Sequence, residues 1–258
     1  MKNRGKNLLV TSAVVLAAGL YGLSASAADF DAVKSKLEAA MAAEVRTEAE
    51  TARDANRKPV KTLEFFGLRD DMKVVELLPG GGWYTKLLAP TLAENGLLYI
   101  AYGTSRIAAR LKDQPGFEKI KIAGEGAQLG PVEGSRFYFA TDTDLGVKNA
   151  DMVLTFRNYH NFDEVSRAAI NNSVFKALKR GGIYGVVDHT RRHMQGLNDE
   201  NRRRFDPVEA IKEIQAAGFE LVDFSDLHYR ADDELRYEVG RKTVTGNTDR
   251  WTLKFRKP

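Results

Sequence analysis

The sequence predicts an α/β fold: a doubly wound, mostly parallel sheet with helices on both faces and a helical arm ahead of it. First, the β-rich runs "KVVELL", "LLYIAY", "FYF", "DMVLTF" and "GIYGVVD" alternate with helical stretches at Tyr84 to Glu94, around Ile107 to Lys112 and at Asp163 to Lys179. Such alternation belongs to a parallel sheet covered by crossover helices. Second, Val74 to Leu78 and Met152 to Phe156 are almost wholly apolar, as central strands buried on both faces must be. Third, Pro79-Gly80-Gly81-Gly82 separates the first run from the helix after it. That puts open backbone at a helix N-terminus on the carboxyl edge of the sheet, where doubly wound folds bind ligands.

In chain order, Lys2, Arg4 and Lys6 precede an apolar run from Leu8 to Leu23 and small residues ending Ala25-Ser26-Ala27. This is the pattern of a secretory signal peptide, cleaved after Ala27 or one residue later. The alternative, an uncleaved anchor, is opposed by a run shorter than the roughly 20 residues of a spanning helix and diluted by Thr11, Ser12 and glycine. The expected division is a leader over 1–27 and one domain over 28–258, with an arm at 28–60 and the core at 61–258. The mature protein is expected to be exported, periplasmic or secreted, without stable membrane insertion after cleavage.

In the arm, Val33, Leu37, Met41 and Val45 recur every four residues with charges between them. The spacing predicts one amphipathic helix, closed by Pro59, that packs across the domain edge or serves as a partner-binding arm. Further on, Asp206 as N-cap, Pro207 at the first helical position, apolar Val208, Ile211 and Ile214, and Gly218 as stop define a helix. It feeds "ELVDFSDL", and the chain ends on "DRWTLKFRKP". These last two strands are expected to pair antiparallel across a connection from His228 to Asp249, a length typical of functional or mobile segments.

The chain has no cysteine, which excludes disulfides, thiol catalysis and thiolate metal ligands, and suits an oxidising compartment. Its 43% hydrophobic content is enough for a full core. The net charge of +4 loses three positive charges with the leader. A nearly neutral mature chain has no global pull on nucleic acid, so the expected partner is a small molecule.

The glycine turn can be tested against its known uses. A phosphate-binding loop needs Lys and Ser/Thr after the last glycine, and Trp83-Tyr84 stand there. A dinucleotide fingerprint would place glycines at 80, 82 and 85, but position 85 is Thr, and no acid closes "LLYIAY" to hold a ribose. Val74-Val75-Glu76-Leu77-Leu78-Pro79-Gly80-Gly81-Gly82-Trp83 instead has the layout of the first motif of class I S-adenosylmethionine-dependent methyltransferases, with an acid on the first strand and a glycine-rich turn two residues later. With "TARDANRKPVKTLEFFGL", "FRNYHNF", "VVDHT", "RRRFDP" and "GNTDRWTLKFRKP", the chain from Arg53 to Pro258 resembles an exported family of predicted methyltransferases.

The resemblance implies a seven-stranded Rossmann-like sheet, S-adenosylmethionine as cofactor, and methyl transfer to a small-molecule or envelope substrate. It implies cofactor contacts from Glu76, Pro79, Gly80, Gly81, Gly82, Trp83, Tyr84, Tyr102 and Asp142, with Asp144 a rival for the last. Two positions depart from the pattern: Leu78 stands where glycine is common, and Ala101-Tyr102 where an acid commonly closes the second strand. For Trp83 and Tyr84 the choice lies between a ring beside a sulfonium and core packing.

Methyl transfer needs an aligned nucleophile, exclusion of water and often a base. Arg157-Asn158-Tyr159-His160-Asn161 after the fourth strand, and Asp188-His189 with Arg191 after the fifth, are expected to open on the same crevice. His160, the one imidazole of its cluster, is the candidate base, with Asn158 and Tyr159 at the substrate; the alternative is a loop-capping histidine. Asp188-His189 is a second acid/base pair or a structural hydrogen bond. A metal site from Asp188, His189 and His193 is disfavoured, because a histidine spacing of four suits a helix while Asp188-His189 still leaves a strand; no metal is expected. Five arginines fall between Arg191 and Arg204, a solvated face or a substrate contact. The resemblance implies that Arg204 reaches an anionic substrate while Asp206 caps its helix. Three readings follow: an active methyltransferase, an exported ligand-binding protein on the same fold, and a nicotinamide-dependent oxidoreductase.

Overall fold

The computed structural model describes residues 22–258. The expected leader lies outside the described residues except for 22–27, which open the first helix. Helix α1 (Gly22–Ala42) is followed by two short helices, α2 (Glu48–Thr51) and α3 (Asp54–Arg57), and by α4 (Pro59–Phe66). The core continues β1 (Lys73–Leu77), α5 (Thr85–Leu92), β2 (Leu97–Ala101), α6 (Ser105–Leu111), β3 (Lys121–Ala123), β4 (Gln128–Pro131), β5 (Tyr138–Thr141) and β6 (Ala150–Phe156). One turn of 3-10 helix (Tyr159–Asn161) then leads to α7 (Glu164–Ala177), β7 (Leu178–His189), α8 (Pro207–Ala216), β8 (Glu220–Ser225) and β9 (Arg250–Arg256).

Seven strands form one sheet in the order β3-β2-β1-β6-β7-β9-β8. The first five are parallel, and β9 runs antiparallel between β7 and β8. The order reverses between β1 and β6, so their carboxyl ends flank the switch point at which such sheets bind ligands. Both faces are covered. One carries Val75, Val153, Tyr184 and Phe255 beneath α7 and α8; the other carries Val74, Met152 and Leu154 beneath α1, α4 and α5. Asp206 caps α8 as expected, accepting from Val208 N at 2.9 Å.

Four local expectations are corrected. The arm is not one helix. Arg46 folds back to donate to Met41 O at 2.8 Å and pairs with Asp54, which closes α1, and Thr47 N donates to Glu50 Oε2 at 2.8 Å to start α2. Pro59 opens a helix rather than closing one, after Lys58 reverses the chain at φ 42°. The arm also packs on a face of the sheet, not its edge: Val33, Leu37 and Ala40 are buried with Leu63, Phe66 and Leu87, each large side chain contributing about 1.5–3 kcal/mol. Finally, "FYF" is not the third strand of the sheet. It falls in and beside β5, which pairs with β4 in a separate hairpin and meets the body of the domain through a single parallel bridge from Tyr138 to Phe162, while the three-residue β3 fills the sheet position.

The connection after β8 is pinned at both ends. His228 is fully buried, with Nδ1 2.7 Å from Thr252 Oγ1, and Asp233 receives Arg204 and Asp249 N.

Candidate active site

The backbone is strained along the carboxyl edge. Leu78, Tyr102 and Arg157 each stand directly after β1, β2 and β6, and all three have left-handed φ, of 54°, 66° and 61°. Such a conformation costs a non-glycine residue about 1–2 kcal/mol and gathers at functional sites. The edge is stitched by Leu78 N to Ala101 O at 2.8 Å, Asn158 Nδ2 to Leu78 O at 3.1 Å and Arg157 N to Val187 O at 2.7 Å. Leu78 therefore adopts the conformation for which glycine is the usual residue at its position.

The three glycines divide their work. Gly80 and Gly81 line a cavity of about 360 Å³ together with Glu76, Pro79 and Asn158. A Cβ on Gly81 would meet nothing within 4 Å, and one on Gly80 only Leu78 O at 4.0 Å. Gly82, expected at the ligand, instead faces α6: its Cβ would lie 2.4 Å from Ile107 Cδ1, at φ 81°. Glu76 is buried and accepts from Thr85 Oγ1 at 2.6 Å. Burial pushes its pKa up to about 7, against the opposing Thr85 hydrogen bond and Arg57 charge. Trp83 and Tyr84 line the cavity but belong chiefly to the core. Tyr84 stacks on Phe156 at 3.5 Å, and Trp83 Nε1 donates to Glu50 O at 2.9 Å.

The arm closes this cavity from above, which sequence reasoning missed. Arg53 and Arg57 stand in its wall, and the Arg57 guanidinium lies 4.2 Å from the centroid of the Trp83 ring. The only signal was the grouping of Arg53 and Arg57 in the first of the resembling blocks.

At the end of β2, Tyr102 is buried with its hydroxyl donating to Thr143 O. Asp142 follows β5 of the hairpin rather than a strand of the main sheet; it is exposed, at φ 51°. Its neighbourhood still returns to the edge through Thr143 and through Gly124 N to Leu145 O at 3.1 Å. Asp144 accepts from Gly146 N at 2.8 Å.

On the other side of Leu78 lies a cavity of about 880 Å³ between the hairpin and the segment 191–205. His160 stands in its wall, with Nδ1 2.6 Å from Asp188 Oδ1. Asp188, fully buried, also accepts His160 N at 3.0 Å and His189 N at 2.6 Å. A carboxylate so placed fixes the proton on Nδ1 and leaves the Nε2 lone pair for chemistry. Asp188 thus serves His160 rather than the His189 ring, whose Nδ1 lies 2.8 Å from Thr248 Oγ1. Burial, then the neighbouring His160 and Arg157, hold the His189 pKa well below its usual value, so its ring is neutral.

Two candidate substrate contacts are structural instead. Tyr159 is core: its hydroxyl donates to Glu213 Oε2 at 2.7 Å and accepts from Asn171 Nδ2 at 3.0 Å. Arg204 is fully buried. Its two Nη atoms each meet Asp233 at 2.9 Å, and Nε donates to Tyr237 O at 2.7 Å, which leaves no free fork for a ligand. Arg191 does line the larger cavity, paired with Glu209 at 2.6 Å. His193 lies 2.9 Å from Asp206, apart from Asp188, and no group of three possible metal ligands occurs among the described residues.

No protein-family model and no curated protein matches the chain. Solved structures do. A SAM-dependent methyltransferase from Aquifex aeolicus superposes with a TM-score of 0.55 at 13% identity, covering 87% of this chain and 98% of its own. The glycopeptide N-methyltransferase MtfA in complex with sinefungin gives 0.51 at 16% identity over 80% of this chain and 94% of its own. The [4+2]-cyclase SpnF gives 0.54 at 16% identity over 89% and 93%. At these identities the likeness concerns architecture: the chain has the Rossmann-like fold of the class I methyltransferases.

Proposed function

We propose that the protein transfers a methyl group from S-adenosylmethionine to a small-molecule or envelope substrate, with His160 as general base. One observation carries this reading: the glycine-loop cavity and the cavity holding the Asp188-positioned His160 share Leu78 as a common wall, the adjacency that a donor site and an acceptor site need. The smaller cavity fits the donor. An amino-acid end is a zwitterion, and the walls offer the carboxyl of Glu76 for an ammonium and the guanidinia of Arg53, Arg57 and Arg157 for a carboxylate. Gly80 and Gly81 allow close approach, and Asn158 adds a polar contact.

When bound, S-adenosylmethionine supplies an electrophilic methyl group on its sulfonium. Glu76, Pro79, Gly80, Gly81 and Asn158 would hold its amino-acid end, with Tyr102 and Asp142 the candidates at its adenosine end. His160 Nε2 takes the proton from the acceptor hydroxyl or amine; Asp188 orients the ring and stabilises the imidazolium. Arg191 stands ready for an acceptor in the larger cavity. A second reading, a ligand-binding protein without methyl transfer, draws on the missing acid after β2 and on SpnF, a cyclase of the same fold.

The experiment is thermal unfolding with S-adenosylmethionine or S-adenosylhomocysteine. A native-state ligand at a hundredfold excess over Kd adds about 2.7 kcal/mol, and a domain of this size gains roughly 2–4 °C per kcal/mol. No shift with either compound at millimolar concentration removes the donor and leaves the ligand-binding reading. The mature protein is further proposed to be exported. Mass spectrometry from the native host should then find an N-terminus at Ala28 or Asp29, and a full-length main species overturns this.

A further inference from the structure

Beyond the glycine loop the cleft continues into a third cavity, of about 240 Å³, walled by the β8–β9 connection. Arg53, Arg57, Arg157, Arg203 and Arg250 line it, and no Asp or Glu does. Elsewhere this chain pairs its buried arginines with carboxylates: Arg46 with Asp54, Arg167 with Glu213 and Arg204 with Asp233. Here only Arg203 has such a partner, Glu238. Arg57 and Arg250 are 5% and 6% exposed, and the Nε of each is buried without a hydrogen-bond partner.

Uncompensated buried charge is expensive. Burial, then the neighbouring Arg157, pushes the Arg57 pKa down to about 8; burial and adjacent guanidinia bring Arg157 and Arg250 to about 10. Because guanidinium groups stay charged, these shifts express how poorly the free protein accommodates the charge. Arg250 lies in this cavity alone, whereas Arg53, Arg57 and Arg157 stand in the wall shared with the glycine-loop cavity.

We propose that this cavity binds a phosphoryl group. Four guanidinia without counter-ions exceed what the two oxygens of one carboxylate can use, while a phosphoryl group offers three oxygens, close to two charges and the geometry of the guanidinium fork. The remaining walls are Asn56, Val239, Gly240, Thr245, Gly246, Thr248 and the neutral ring of His189, none of them acidic. That the phosphoryl group is carried by the methyl acceptor rests on the function proposed above; the anion site itself does not.

The test is calorimetric titration with inorganic pyrophosphate at neutral pH and low salt. Arg250→Gln and Arg53→Gln should each weaken binding by about tenfold or more, the loss of one charge-assisted contact. Arg53 is exposed, so its replacement leaves the fold intact even if Arg250→Gln does not. Arg256→Gln, at an exposed position on β9 paired with Glu220, should change nothing. Inorganic phosphate and glycerol 3-phosphate, run in parallel, tell a free anion from a phosphomonoester, and tighter binding of either supports phosphoryl recognition. No binding at millimolar pyrophosphate, binding unaffected by both variants, or binding of citrate alone overturns the site. S-Adenosylhomocysteine is titrated separately, so loss of the donor reading and loss of the anion site are distinguishable.

Discussion

Asp188 reaches His160 by two bonds, Oδ1 to the ring Nδ1 at 2.6 Å and Oδ2 from the backbone N at 3.0 Å, so one carboxylate fixes both the loop and the imidazole. If His160 is the base, His160→Ala should lower kcat of the folded protein by about 10²–10⁴-fold, and it should also lower Tm, because it leaves the buried Asp188 carboxylate without its ring partner. Asp188→Asn should fall within the same range, because the amide cannot stabilise the imidazolium. Turnover on a hydroxyl or amine acceptor is the measurement. Normal specific activity in folded His160→Ala protein returns His160 to a loop-capping role.

Gly82 should respond as a packing residue. Gly82→Ala puts a Cβ 2.4 Å from Ile107 Cδ1 at a left-handed φ and should cost about 2–4 kcal/mol in urea unfolding. The double variant Gly82→Ala/Ile107→Ala should recover part of that loss. Gly81→Ala should fold normally and weaken S-adenosylhomocysteine. The reverse pattern, a stable Gly82→Ala protein that has lost the ligand, would place Gly82 at the cofactor after all.

Arg204→Met strands Asp233 as a buried carboxylate, a loss of about 3–5 kcal/mol. The β8–β9 connection should loosen with it, read as faster amide exchange between 229 and 249. If Arg204→Met keeps wild-type stability and loses only acceptor affinity, the ion pair is not what holds the connection.

The sheet, its central strands and the capped α8 were legible because apolar runs and cap residues are local signals. β3 was missed because three residues with one buried side chain carry no period, and "FYF" was more β-like by composition than by partnership. In the site, Asp188 and His160 were each legible, but not as partners, because parallel β6 and β7 bring them together across twenty-eight positions. Arg204 misled for a different reason: the resemblance implied a substrate contact there, and its partner Asp233 lies in a connection whose sequence has no period to place it. The arginine-rich cavity draws on four separate segments, and only the folded arm makes it a site.

Glu76 gives a pH signature whose sign can be worked out. Its pKa is raised from 4.5 to about 7 in the folded protein, chiefly by burial. Below pH 4.5 both states hold the proton; between 4.5 and 7 the unfolded chain releases it while the folded one keeps it; above 7 both are ionised. Stability therefore falls as pH rises through that window, by on the order of 3 kcal/mol. His228 works the other way: burial, then Arg250, lowers it from 6.5 to about 4, so its contribution is lost as pH falls through that range. The two overlap in wild-type protein, and comparison with Glu76→Gln separates them, because His228 is common to both. The variant should gain on wild type by roughly 2–3 kcal/mol between pH 5 and pH 8, measured by urea unfolding at each pH. A gap that stays constant would mean that Glu76 titrates as an ordinary carboxyl, and that the cavity beneath the glycine loop is wetter than its walls imply.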